Sequence, residues 1–263
     1  GAEASLEQLA ALQVPDDRFL LTSIFGGSVE EIVAVAQLLA PVSDGLELNL
    51  SCPHAKGYGM DMGQDAGLVK EITQAVKAVV NIPVVPKLTP NVPNIGEIAR
   101  AAVDGGADAL CAINTTGPAY YTAYGEPVLT NKLGGMSGRG VLPTALKCIR
   151  EMREAVDVPI IGCGGVATLD NVKAIRHEGA SIIGIGSALT GMNSEEVGEY
   201  FSEILSGLEK DEPTAGELIT VDMGYEPYTL ITNEKVCEDI SILTFDRKVG
   251  VQAGEFVYAW IPG

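Results

Sequence analysis

Between Phe19 and Leu189, short apolar runs alternate with longer stretches whose apolar residues recur at three- and four-residue steps. The runs are Phe19–Phe25, Leu46–Leu50, Val84–Leu88, Ala109–Asn114, Pro159–Cys163 and Ile182–Gly186, and stretches such as Val29–Leu39, Leu68–Val80 and Ile95–Val103 separate them. Strand-length runs followed by amphipathic helices predict a parallel sheet with helical crossovers. Gly105-Gly106 and Gly179 mark helix ends just before the next strand. The turns Asn81–Pro83 and Asp157–Pro159 set the start of two strands, where proline's missing N–H costs no ladder bond. Gly1–Leu12 reads as a helix leading into the first strand.

An open doubly wound sheet and a barrel both fit this rhythm. Asn49, Lys87, Asn114 and Ser187 stand at or near the C-terminal ends of different strands. A barrel gathers its site at that face from several strands, whereas a doubly wound sheet concentrates it at one switch point. The expectation is therefore an α/β fold, a TIM (β/α)8-type barrel. A complete barrel needs eight strand–helix units, and only six are legible before about residue 207. The first two strands are expected to be lacking, which would leave two edges for a partner chain or cover. The tail changes character, with alternating β-type patches at Ser241–Phe245 and Glu255–Trp260. The domain expectation is a barrel over 1–210, a linker over 211–229 and the opening of a β-type domain over 230–263.

Composition narrows the function. Of 263 residues, 46% are hydrophobic and 20% charged, which is enough to build a sizeable core. No apolar run approaches the roughly 20 residues of a membrane span, and no secretory leader opens the chain, so no membrane partner is expected. Seventeen basic against thirty-five acidic residues leave a net charge of −18. That field repels phosphate backbones and argues against nucleic acid. Cys52, Cys111, Cys148, Cys163 and Cys237 are odd in number and lack a C-x-x-C, so neither a disulfide framework nor a metal site follows, and a cytoplasmic location is expected.

The densest chemistry lies in Leu48–His54 and the glycine-rich loop that follows. On a strand, Glu47 and Asn49 share one face and Leu46, Leu48 and Leu50 the other. The leucines would pack on helices while Asn49 points into the barrel mouth. Cys52 falls just past the strand end, where it reads either as a base aided by His54 or as a small buried hydrophobe. Lys87 interrupts an apolar strand on the face of Val85 and Thr89, and an inward lysine calls for an electron-rich ligand or an internal ion pair. Asn114 and Thr115 end the next strand, where an amide can hold a planar heterocycle. Ser137-Gly138, Gly164-Gly165 and Gly186-Ser187 lie in glycine-rich turns, the last two closing the final strands; they read as a phosphate cradle or as close turns without a ligand. Tyr120, Tyr121 and Tyr124 could cover the mouth. Cys111, Cys148 and Cys163 are expected in the core and His177 on the surface.

Asn49–Pro53, Lys87–Asn91, Ile113–Thr115, Gly134–Gly138, Gly164-Gly165 and Gly186–Ala188 together resemble class 1 dihydroorotate dehydrogenases, with every motif in order from about Phe19 to Gly207. The resemblance implies an FMN-bearing TIM barrel that oxidises dihydroorotate to orotate in pyrimidine biosynthesis. It implies Cys52 as general base, Asn49, His54, Asn114 and Thr115 around the pyrimidine, and Lys87, Ser137, Gly138, Gly164, Gly165, Gly186 and Ser187 around FMN, with no metal ligand. The tail, with Ala253–Val257, looks like the start of the NAD-linked enzyme's electron-transfer subunit, which implies FAD and an iron–sulfur cluster beyond Gly263, and an oligomer. Ser51–His54 with Gly63–Asp65 is also similar to dihydropyrimidine dehydrogenase, so a uracil-type substrate is the second reading. A non-redox phosphate-binding barrel or an inactive flavoprotein fragment is the third. The chain alone is expected to lack turnover.

Overall fold

The computed structural model describes residues 1–51, 62–117, 125–127, 134–210, 229–237 and 240–246. The chain divides into two units, Gly1–Glu212 and Pro213–Gly263. The first opens with α1 (Ala2–Ala10), which buries none of its residues. It continues through β1 (Leu21–Ile24), α2 (Val29–Leu39), β2 (Gly45–Asn49), α3 (Ala66–Lys77), β3 (Val84–Leu88) and α4 (Ile95–Asp104). Then come β4 (Leu110–Ala112), α5 (Leu142–Ala155), β5 (Ile160–Cys163), α6 (Leu169–His177), β6 (Ile182–Gly184) and α7 (Ser194–Lys210).

The six strands pair in parallel in the order β1-β2-β3-β4-β5-β6. This order decides between the two architectures. A doubly wound sheet reverses its strand order at a switch point, whereas here every crossover steps to the next strand on the same side. The sheet curls into a half-barrel with helices outside, a partial TIM barrel whose edges among the described residues are β1 and β6.

Alternation along each strand sorts the two faces. Leu46 and Leu48 of β2, Val84 and Leu88 of β3, Leu110 and Ala112 of β4 and Ile160 of β5 face outward into the helix layer. There they meet Ile32 and Ala36 of α2, Val69, Ile72 and Val76 of α3, Ala99 and Ala102 of α4, and Ile149 and Met152 of α5. On α3 these contacts fall at steps of three and four, the stripe that turns one helix face to the sheet. Gly162 lets two layers meet closely, because a Cβ there would lie 2.5 Å from Ile175 Cγ2 and 2.7 Å from Ala180 Cβ.

Five helices are started by a side chain that accepts the backbone N–H three residues on: Ser28 from Glu31, Asp65 from Leu68, Asn94 from Glu97, Thr168 from Asn171 and Asn193 from Glu196. Each satisfies one of the free donors of the first turn. Gly106 and Gly179 follow helix ends at φ +95° and +106°, the left-handed conformation that lets the chain turn towards the next strand. Pro83 and Pro159 each sit one residue before a strand, and their carbonyls accept from Leu46 and Leu110 at 2.9 Å. The prolines thus extend the ladder through the group they keep.

In the second unit, β7 (Leu230–Cys237) and β8 (Ile240–Phe245) form an antiparallel pair with irregular register. The Ser241–Phe245 patch lies within β8; Glu255–Trp260 and Tyr120, Tyr121 and Tyr124 fall outside the described residues. Cys148 is buried in the core and His177 is exposed. Cys111 is buried as expected, at 2% exposure, whereas Cys163 departs from the expected core placement. Both lie on the inner face of the sheet, and Cys163 is only partly buried, because they occupy the strand positions opposite in phase to Leu110, Ala112 and Ile160.

Candidate functional site

Register carries the inward positions of neighbouring strands side by side. Ser23 pairs with Glu47, Asn49 with Lys87, and Lys87 with Cys111. Ser23 Oγ donates to Glu47 Oε1 at 2.8 Å, and Lys87 Nζ lies 3.5 Å from the same oxygen. The Lys87 side chain keeps 25% of its exposure and Glu47 12%, so the ion pair is shielded but not dry. Burial opposes the charge on Lys87, yet the neighbouring Cys111 sulfur and Glu47 carboxylate outweigh it and hold the ammonium above its ordinary pKa. Lys87 therefore stands on the inner wall as a cation at neutral pH.

Above it, at the strand ends, three side chains converge. Asn114 Nδ2 donates to Asn49 Oδ1 at 2.8 Å and to Ser51 Oγ at 2.6 Å. The Asn114 carbonyl oxygen accepts from Thr115 N–H at 2.8 Å, which fixes the amide's orientation. Asn91 ties the same rim together: its Nδ2 donates to Thr89 Oγ1 at 3.1 Å and Thr115 O at 3.2 Å, and its Oδ1 accepts from Gly117 N–H at 3.1 Å. Two half-buried carboxamides held by each other form a flat donor–acceptor surface, suited to a planar heterocycle.

Two of the glycine turns meet beside the end of β4, where a Cβ on Gly164 would lie 2.9 Å from Ile113 Cγ1. Gly138, Gly164 and Gly165 have φ of +88°, +115° and +77°, a region L side chains rarely adopt. A Cβ on Gly165 would lie 2.9 Å from Gly138 O, which places these two turns in contact. Gly138 and Gly186 face open space, since a Cβ on either would meet nothing within 4 Å. Ser137 and Ser187 flank them. Bare backbone at the ends of adjacent strands is a cradle that side chains would fill, and its N–H groups suit a phosphate.

Sequence reasoning predicts Asn49, Lys87, Asn114, Thr115, Ser137, Gly138, Gly164, Gly165, Gly186 and Ser187 at this rim, and the structure brings Asn49 together with Asn114, and Gly138 with Gly165. Thr115 is exposed and enters through its backbone. Cys52 and His54 lie outside the described residues. Ser51, Asn91, Glu47 and Ser23 join the site although the sequence assigned none of them a role there. Glu47 carries a readable signal, since it shares its strand face with Asn49; Ser51 and Asn91 enter only through contacts across strands. Among the described residues no cluster of three or more metal-ligating side chains occurs, and no helix is long and apolar enough to cross a membrane.

The family model described as Dihydroorotate dehydrogenase matches residues 1–210. The chain belongs to the dihydroorotate dehydrogenase family. Similar curated proteins carry the name dihydroorotate dehydrogenase B (NAD(+)), catalytic subunit. The one from Pyrococcus horikoshii is 46% identical over 178 residues, 66% of this chain and 59% of the relative. That from Methanosarcina acetivorans is 46% identical over 192 residues, covering 72% and 60%. That from Methanocella arvoryzae is 48% identical over 184 residues, covering 70% and 60%. The chain thus spans about three fifths of the length of these relatives.

Proposed function

We propose that the full-length protein of which this chain forms part of the barrel oxidises (S)-dihydroorotate to orotate with bound FMN, in pyrimidine biosynthesis. The observation that carries the reading is the bonded Asn49–Asn114 pair beside Lys87 at the strand ends of a chain of this family. The donor set fits the cofactor: bare glycine backbone for its phosphate and a fixed cation for its ring system. Gly164, Gly165, Gly186 and Ser187, flanked by Ser137 and Gly138, would hold the phosphate. Lys87 would supply the positive charge that favours the reduced form. When bound, FMN supplies the hydride acceptor for the substrate's CH–CH bond.

The chain's own residues do the rest. Asn49, Asn114 and Thr115, with His54, hold the pyrimidine through its ring amides. Cys52 directly follows Ser51 in the sequence, and Asn114 Nδ2 donates to the Ser51 hydroxyl. The role of Cys52 is to take the C5 proton as general base, a contribution of about 10²- to 10⁴-fold for such groups. The catalytic-subunit names of the relatives support a partner that passes electrons onward. In this reading the tail begins an electron-transfer domain with FAD and an iron–sulfur cluster, the protein is oligomeric, and it works in the cytoplasm.

The test uses the full-length gene product. It should purify with a flavin absorption band and turn over dihydroorotate in preference to uracil. Cys52→Ala should keep the band and lose about 10²-fold or more of turnover. Preference for uracil would move the assignment to dihydropyrimidine reduction, and absence of flavin would favour a non-redox phosphate-binding barrel. Full activity of Cys52→Ala would remove that thiol from the mechanism.

A further inference from the structure

The proposed mechanism gives no role to Asn91, yet every polar group of that residue is engaged. Its backbone N–H donates to Thr89 Oγ1 at 3.2 Å, and its carbonyl accepts from Gln64 Nε2 at 3.1 Å. Its side chain donates through Nδ2 to Thr89 Oγ1 and Thr115 O, and accepts at Oδ1 from the Gly117 N–H. We infer that Asn91 is a positioning residue for pyrimidine binding, holding the loop after β4 so that Asn114 keeps the orientation in which it meets the ring. This role rests on the assignment of Asn49, Asn114 and Thr115 to the pyrimidine and concerns what keeps them in place.

Three observations support it. The first is the set of partners. Asn91 follows β3, Gln64 ends the segment between β2 and α3, and Thr115 and Gly117 follow β4. One residue thus joins the loops of three successive strands. None of the three is an edge of the sheet, so these bonds do not depend on what pairs with β1 or β6.

The second is stiffness. Pro90 and Pro93 flank Asn91, and a proline fixes its own φ and holds the residue before it, here Thr89 and Val92, to extended conformations. Thr89 is 3% exposed, and Val92 packs against the core. The Asn91 side chain therefore projects from a segment with little freedom to follow a moving partner.

The third is direction. The Thr115 carbonyl requires a donor and the Gly117 N–H an acceptor, and a carboxamide supplies both at once. From Thr115 the restraint passes straight to the group that holds the ring. Thr115 N–H donates to Asn114 Oδ1 at 2.8 Å, and Asn114 Nδ2 donates in turn to Asn49 Oδ1 and Ser51 Oγ. Asn91 acts through Thr115. If that tie is cut, the pyrimidine must order the loop as it binds, which weakens affinity. The reaction of the bound ring changes less, so KM should move more than kcat.

The experiment uses the full-length protein with its flavin, titrated with orotate and read as a shift of the flavin absorption band, beside dihydroorotate kinetics. Asn91→Asp is close in size and keeps the acceptor for Gly117, but sets a carboxylate oxygen against the Thr115 carbonyl. Asn91→Ala removes both arms; should it not fold, Asn91→Asp carries the test. Each should raise the orotate Kd and the KM for dihydroorotate about 10-fold, the scale of leaving a shielded polar group unpaired. Flavin content should stay at the wild-type level and kcat nearly so. Asn94→Ala is the comparator from the same segment. Asn94 caps α4 by accepting from the Glu97 N–H at 3.2 Å, so its loss should lower the thermal midpoint and leave the orotate Kd where it was. Amide hydrogen exchange at Gly117 needs no pyrimidine: it should speed up in Asn91→Ala and stay near wild type in Asn91→Asp. An orotate Kd unchanged in both Asn91 variants, an equal rise in Asn94→Ala, or loss of flavin in step with loss of orotate binding would overturn the role. A wild-type protein that binds uracil and not orotate moves the substrate assignment alone, and the same comparison with uracil then decides on Asn91. A wild-type protein that binds neither would overturn the assignment of the rim and this role with it.

Discussion

Glu47 and Lys87 illustrate how much a single pair of side chains decides. A carboxylate at 12% exposure and an ammonium at 25% share one wall, with Ser23 occupying the same carboxylate oxygen. Removing one partner of a shielded pair leaves the other charge without compensation. Residual solvent contact discounts the full penalty of a dry pair, so Glu47→Gln should cost about 1–3 kcal/mol in urea unfolding. The sign of its pH dependence follows from the raised Lys87 pKa. The pair's contribution is fully present below the unfolded lysine value of about 10.4 and is lost as pH rises through the folded value. The wild-type and Glu47→Gln unfolding free energies should therefore differ by a constant amount between pH 7 and about 10 and converge above it. A gap that closes already near pH 8 would place the stabilisation elsewhere. The sequence alone marks Lys87 as needing a partner and puts Glu47 on the inward side of β2, but it offers two kinds of partner and leaves the choice open.

At the scale of elements, strand-and-helix alternation is legible because each element carries its own period. The β2 leucines at alternate positions, the α3 stripe of Val69, Ile72 and Val76, and the stops at Gly106 and Gly179 are local signals, and each appears where its period puts it. Layer spacing is not local. Gly162 is a small residue in an apolar run until α6 and the Ala180 turn close over it. Gly162→Ala should overpack that contact and cost about 1–3 kcal/mol, read as a lowered midpoint in chemical denaturation with an unchanged slope. A neutral result would mean that α6 can shift outward without loss. The capping side chains make a different contrast: Asp65, Asn94 and Thr168 are visible as residue types, but their bonds exist only once each helix has started at the next residue.

For the molecule taken together, the net charge of −18 is the dominant long-range fact. Self-repulsion of this kind destabilises a compact state and is screened within about 10 Å at 0.1 M salt. Ion pairs such as Arg150–Glu178, bidentate at 2.6 and 2.7 Å, would be weakened by the same screening, so the two effects have opposite signs. With acidic residues outnumbering basic ones two to one, repulsion should win. The thermal midpoint is expected to rise by several degrees between about 0.05 and 0.5 M sodium chloride. A falling midpoint in differential scanning calorimetry would show that attractive pairs dominate instead.

Local order along the chain was enough to specify the alternation of strands and helices, the face each strand residue takes, and the strand ends that carry Asn49, Lys87 and Asn114. These follow from periods of two and about 3.6 residues and from turn chemistry, which neighbouring residues encode together. The family's motifs, in their order, were legible in the same way. Which strand ends touch was settled only by folding. The Asn114–Asn49 bond spans sixty-five residues and the Cys111–Cys163 contact fifty-two. Such contacts depend on the register of one strand against the next and on the sense in which the sheet curls. Those properties arise from packing of the whole helix layer against the sheet, and no local run of residues contains them.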